Sequence, residues 1–189
     1  LDRATWLSYV RCHDDIGLGF DDADVIRAGY EPRAHRQYLL DYFTGRFEGS
    51  LARGLPFGVN SKSGDARISG SLASLAGLEA ALERGDEEAI GESVDMILLL
   101  HGMIMSFGGI PLLYMGDEIG LLNDESYLDD PNLANDSSWL HRPWMDWDLA
   151  EKRGNELGVN GRIFQAIRHL IQVRQQTCAL HARAHAYPV

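Results

Sequence analysis

The chain is predicted to be α/β, a partial (β/α)8 TIM barrel, and two of its segments carry that prediction. An apolar run, Trp6, Leu7 and Val10, stops abruptly at Cys12-His13-Asp14-Asp15, and a second, Ile110-Pro111-Leu112-Leu113, is opened by Gly108-Gly109 and closed by Gly116-Asp117-Glu118. In a barrel the strand interior fills the core while the C-terminal tip of each strand faces the active-site mouth, so polar chemistry belongs where the apolar run ends. Each run is followed by helical patterning, which makes two strand–helix units. A chain of 189 residues would ordinarily form one domain with its own core. An intact barrel needs eight such units and roughly 250 residues, so the chain is read as a fragment.

The first strand is predicted over residues 6–12. Beyond it, Asp21 and Asp22 suit the cap of a short helix that Gly29 stops, and Pro32 suits the first turn of another. That second helix carries Leu39, Tyr42, Phe43 and Phe47 at spacings of three or four, an apolar face expected to pack inward with its aromatics in the core. From Leu51 to Gly70, the glycines, Pro56, Asn60 and serines mark an irregular loop, the kind of segment that carries specificity. Ser71 then caps a helix of Leu72, Leu75, Leu78 and Leu82 that ends at Gly85. Asp86 opens the next, whose Ile90, Val94, Ile97, Leu98, His101 and Met105 recur at helical spacing, so that it reads as a buried helix with His101 a satisfied core histidine. Residues 120–160, rich in Asp, Asn, Trp and Pro, lack periodicity and read as a long loop. Ile163, Phe164, Ile167, Leu170 and Ile171 define a last amphipathic helix running to about Thr177.

Composition narrows the partners. A net charge of −11 opposes a nucleic-acid surface, since phosphate contacts need clustered Lys and Arg. A neutral sugar fits better. Cys12 and Cys178 lie far apart without C-x-x-C spacing, so neither a zinc site nor a disulfide framework is read here, and a reduced, cytoplasmic setting is the expectation. No basic-then-apolar leader pattern opens the sequence. The apolar stretch from Met96 to Phe107, interrupted by His101 and Gly102, reads as too short to cross a membrane.

Four separated motifs, residues 9–17, 64–70 (Gly-Asp-Ala-Arg-Ile-Ser-Gly), 109–123 and 139–143 (Trp-Leu-His-Arg-Pro), resemble in order the alpha-amylase superfamily of glycoside hydrolases, in its amylosucrase and sucrose hydrolase branch. The resemblance implies that the two strands are the seventh and eighth of the barrel. Residues 1–15 are then strand seven, 16–85 an inserted subdomain between that strand and its helix, and 86–189 helix seven, strand eight, a long loop and helix eight. It implies a retaining, sucrose-cleaving glucosyltransferase with sucrose and glucan or oligosaccharide acceptors as partners. No metal, organic cofactor, nucleic acid or membrane is expected, and the missing N-terminal part of the barrel would be the partner of the fold.

Retaining glycoside chemistry uses two carboxyl groups roughly 5–5.5 Å apart and passes through an oxocarbenium-like transition state. A further carboxylate that grips the sugar hydroxyls stabilises that state as its charge develops. Taken alone, Asp14 would be a strand-end carboxylate capping a turn; the resemblance matches it instead to the transition-state-stabilising Asp, and His13 to the histidine that donates to the same sugar. Asp15, followed by Ile16-Gly17, matches the residue facing the fructosyl or acceptor side, and Arg67 an arginine of that same side rather than a surface cation paired with Asp65. Arg142 matches the arginine that closes the bottom of the glucosyl pocket, a task suited to its planar guanidinium. Glu118 is assigned to structure, because the resemblance draws the nucleophilic Asp and the acid/base Glu from strands four and five. No residue here matches either, so the chain by itself is expected to be inactive.

Overall fold

The computed structural model describes residues 4–155 and 157–182. Two strands, β1 (Leu7–Ser8) and β4 (Ile110–Pro111), pair in parallel with Leu7 opposite Ile110 and Ser8 opposite Pro111. Both are far shorter than the predicted 6–12 and 108–118 runs, and the two strands form a sheet of their own with neither closed into a barrel. Gly109 permits the pairing: its φ is +104°, and a Cβ there would meet the Trp6 carbonyl oxygen at 2.7 Å.

The excursion after β1 begins with α1 (Asp22–Arg27), whose Asp21 accepts the Ala23 N–H, and α2 (Pro32–Phe43), whose Glu31 accepts from Arg33 and Ala34. The predicted inward face of α2 holds for Phe43, which packs against a small core, and is corrected for Tyr42 and Phe47. Leu40 is the buried residue, while Tyr42 and Phe47 are exposed and stack edge-on or tilted with Tyr38 in an aromatic surface cluster. The cause is local: α2 ends at Phe43, where the Thr44 N–H and hydroxyl both bond the Leu40 carbonyl, so Phe47 lies off the helix and outside its period. The loop predicted over 51–70 contains an antiparallel pair, β2 (Leu55–Phe57) and β3 (Arg67–Ser69). Ile68 adds a bridge to Ile16 through two 2.9 Å backbone bonds. A small core of Leu40, Ala66, Ile68 and Leu75, flanked by Ile16, Leu18 and Phe43, lies beneath this region.

The helix predicted over 71–85 is two, α3 (Leu72–Leu75) and α4 (Leu78–Arg84), because Gly77 adopts φ +96°. Ser71 does cap the first and Gly85, at φ +63°, ends the second. Asp86 caps α5 (Glu87–Ser106), which presents Ile90, Val94 and Ile97 to the main core and also buries Met105. His101 is buried there with its Nδ1 2.9 Å from the Ile97 carbonyl, and burial pushes its pKa down. The helix is longer than its most apolar stretch: α5 is long and apolar enough to cross a membrane by length and composition, yet one face of it packs inside the protein against α4 and the last helix.

Residues 120–160 are not structureless. Short 3₁₀ turns at Glu125–Asp129 and Ser137–His141 and a helix, α6 (Trp147–Glu151), are started by the side chains of Asp124, Asp136 and Asp146. The aspartates that made the segment look like loop are its caps. The last helix, α7 (Val159–Gln176), buries Ile163 and Ile167 against Leu72, Leu78, Ala81, Val94 and Ile97. Its Arg174 donates to the carbonyls of Met105, Phe107 and Gly109, each at 2.6 Å, and so ties the end of α5 and the approach to β4 onto α7.

Candidate functional site

The tip of the first strand is held by one buried cation. Arg11, only 4% exposed, donates through Nε to the Gly70 carbonyl at 3.0 Å and through a terminal nitrogen to the Asp14 carbonyl at 2.7 Å. Burial pulls its pKa down, while Cys12, Asp117 and Asp15 nearby push it back up. Its second terminal nitrogen has no hydrogen-bond partner. With its backbone anchored in this way, the 12–15 turn leaves His13 and Asp14 pointing to solvent. Their side chains are 69% and 70% exposed, with His13 Nε2 and Asp14 Oδ1 3.4 Å apart.

A second clasp comes from far along the chain. The Gly70 N–H donates to His141 Nδ1 at 3.3 Å, and His141 Nε2 lies 2.9 Å from the His13 carbonyl oxygen. Burial, and after it the Arg11 charge, pushes the His141 pKa down to about 4, so the ring is neutral near pH 7. Because Nδ1 accepts, the single ring proton is on Nε2 and is donated to His13. Arg142 Nε donates to the same carbonyl at 2.9 Å, with its guanidinium 5.3 Å from the Trp139 ring centre. The turn bearing His13 and Asp14 is therefore fixed by three side chains, Arg11, His141 and Arg142.

Asp15 is held separately. Its Oδ1 accepts the Ser69 hydroxyl at 2.6 Å, across the Ile16–Ile68 bridge. The same register brings Arg67 alongside Gly17, where it is exposed and stacks on Phe57 with its guanidinium carbon 4.6 Å from the ring centre. No ion pair joins Arg67 to Asp65 among the described residues. Arg67 lines a groove of about 510 Å³ together with Gly17, Phe20, Arg36, Asn60 and Asp65. Arg36 is committed to the fold: it donates to the carbonyls of Leu18 and Phe20 and pairs with Asp22. Glu118 accepts the Gly116 N–H at 2.7 Å, a local turn contact that fits its structural assignment. Burial pushes the neighbouring Asp117 up to about 7, against the opposing pull of Arg11.

His13, Asp14, Asp15 and Arg142 thus share one neighbourhood, with Arg67 on the adjoining groove. Sequence reasoning missed Arg11, Ser69 and His141. All three lie inside the motifs at 9–17, 64–70 and 139–143, but a buried arginine and a donor to a backbone carbonyl have no local pattern that announces them. Asn123 was missed similarly: its Oδ1 accepts the Ser71 N–H at 2.8 Å and its backbone N–H donates to Ser74 Oγ at 2.9 Å. The ligand atoms of Cys12, His13 and Asp14, which spacing alone does not read as a metal-ligand cluster, all lie within 4.8 Å of one another. No protein-family model matches the chain.

Proposed function

We propose that this chain is the C-terminal part of the catalytic barrel of an amylosucrase-type enzyme, which cleaves sucrose, forms a covalent glucosyl-enzyme and passes glucose to an α-1,4-glucan. The observation that carries this reading is the meeting of the four quoted motifs, separated by up to 129 residues, around one exposed His13-Asp14 turn. In it, Asp14 grips the glucosyl hydroxyls and stabilises the oxocarbenium-like transition state while His13 donates to the same ring. Asp15 and Arg67 face the fructosyl and acceptor side, and Arg142 closes the glucosyl pocket. The two strands serve as strands seven and eight, with 16–85 as the insertion. Their open parallel edges support the reading, since parallel strands are ordinarily covered on both sides. The nucleophile and acid/base come from the rest of the barrel, and two unbonded cysteines suit a reduced cytoplasm.

The rival within the branch is a sucrose hydrolase, in which water takes the glucosyl unit. For the isolated chain the rival is a non-catalytic sugar-binding or structural module. The test is fructose release from sucrose by the 189-residue chain, by the parent protein and by its Asp14→Asn variant. A silent chain and an active parent that loses about 10²-fold or more on Asp14→Asn is the expected result. Fructose release by the chain alone would displace the nucleophile from strand four, and a parent inert towards sucrose would remove the substrate assignment. Stimulation of the parent by glycogen separates the transferase from the hydrolase.

A further inference from the structure

We propose that Cys12, His13 and Asp14 form a binding site for Zn2+ or a divalent ion of the same borderline-soft class. Three different ligand types converge here: a thiol, an imidazole and a carboxylate, their ligand atoms within 4.8 Å of one another. The set is the kind that selects zinc over magnesium or calcium, which prefer oxygen alone. Geometry agrees at its closest pair. Nitrogen and oxygen ligands bind zinc at about 2.0–2.2 Å, so two of them in a tetrahedron stand about 3.3–3.5 Å apart; His13 Nε2 and Asp14 Oδ1 are 3.4 Å apart.

Cys12 Sγ closes the triangle and accepts the Asp14 N–H at 3.4 Å, which turns the thiol towards the pair. His13 and Asp14 are exposed at their side chains, so the small inward movement from the present spread meets no packed neighbour. Their backbone, by contrast, is clamped by Arg11, His141 and Arg142, which keeps the three ligands on one turn. Binding displaces the thiol proton to solvent. The thiolate and Asp14 carboxylate then balance the dipositive ion, and three protein ligands leave a fourth position for water.

The consequence for activity rests on the proposed sugar-gripping role of His13 and Asp14: an ion held by both removes both from the sugar, so Zn2+ inhibits. The site itself does not depend on that reading. The experiment is a Co2+ titration of the whole chain followed by visible and near-ultraviolet absorption, with Zn2+ competition. A thiolate-to-cobalt charge-transfer band that Zn2+ abolishes is expected, retained in Cys178→Ser, lost in Cys12→Ser, with His13→Ala weakening Co2+ binding about tenfold or more. Absence of the band, or its survival in Cys12→Ser, overturns the site. In the parent protein, Zn2+ inhibition of sucrose cleavage is expected to weaken by a similar factor in Cys12→Ser. A parent inert towards sucrose would sink the enzymatic reading while leaving the cobalt result to stand or fall alone.

Discussion

At the scale of single residues, Arg11 and Arg67 show how little residue type says about role. Both lie within the segments 9–17 and 64–70, but Arg11 is buried and donates to two carbonyls from different segments, Gly70 and Asp14. Arg67 is exposed over Phe57. A lysine presents one ammonium and cannot span two carbonyls as the guanidinium fork does, and losing bonds at a buried cation leaves acceptors unsatisfied. Arg11→Lys is therefore expected to destabilise the chain by about 1–3 kcal/mol, and Arg67→Lys by less than about 0.5 kcal/mol. Urea denaturation of the two variants beside the parent sequence checks the contrast. Equal losses would mean that Arg11 is not the anchor of the turn.

At the scale of elements, the glycines discriminate between helices that look alike in sequence. Gly77 separates α3 from α4 at φ +96°, and a Cβ there would sit 2.9 Å from Leu51 Cβ and 3.3 Å from Ser93 Oγ. Gly91 lies inside α5 with nothing within 4 Å of an added Cβ. Gly77→Ala is expected to cost about 1–3 kcal/mol and Gly91→Ala to add about 0.5–1 kcal/mol, opposite shifts in thermal midpoint from the same chemical change. Here the limits of the sequence become physical. Caps were legible at Asp21, Ser71 and Asp86 because a capping side chain acts within three residues, and α5 and α7 were legible because their buried faces keep a helical period. The break at Gly77 was not, since the close approach of Leu51 and Ser93 that leaves no room for a side chain there comes from other segments. Nor was the β2–β3 pair, whose register depends on Ile16, nor the exposure of Tyr42 and Phe47, which depends on where α2 stops.

At the scale of the whole molecule, the site's outline was legible where it is contiguous, at His13-Asp14-Asp15, and the clasp that assembles it was not, because His141 meets Gly70 only once the chain has folded. That clasp and the packing around Asp117 also set how stability responds to pH. Asp117, facing Arg11 and Glu118, has its pKa raised from 3.8 to about 7, mainly by burial. The folded state thus holds a proton that the unfolded state has released, and the stability this contributes is present below about pH 4 and is lost as pH rises to about 7. His141 runs the other way: its pKa is lowered from 6.5 to about 4, so its contribution is present above about pH 6.5 and is lost as pH falls towards 4. The two slopes oppose each other across one window, and the parent sequence is expected to show little net change through it. Asp117→Asn removes only the first. Its stability relative to the parent is expected to climb between about pH 4 and 7, by on the order of 1–4 kcal/mol, and then level off, as read from urea midpoints taken at half-unit pH steps. Parallel curves for the two proteins would mean that Asp117 is ionised in the folded state throughout, and that Arg11 rather than burial governs it.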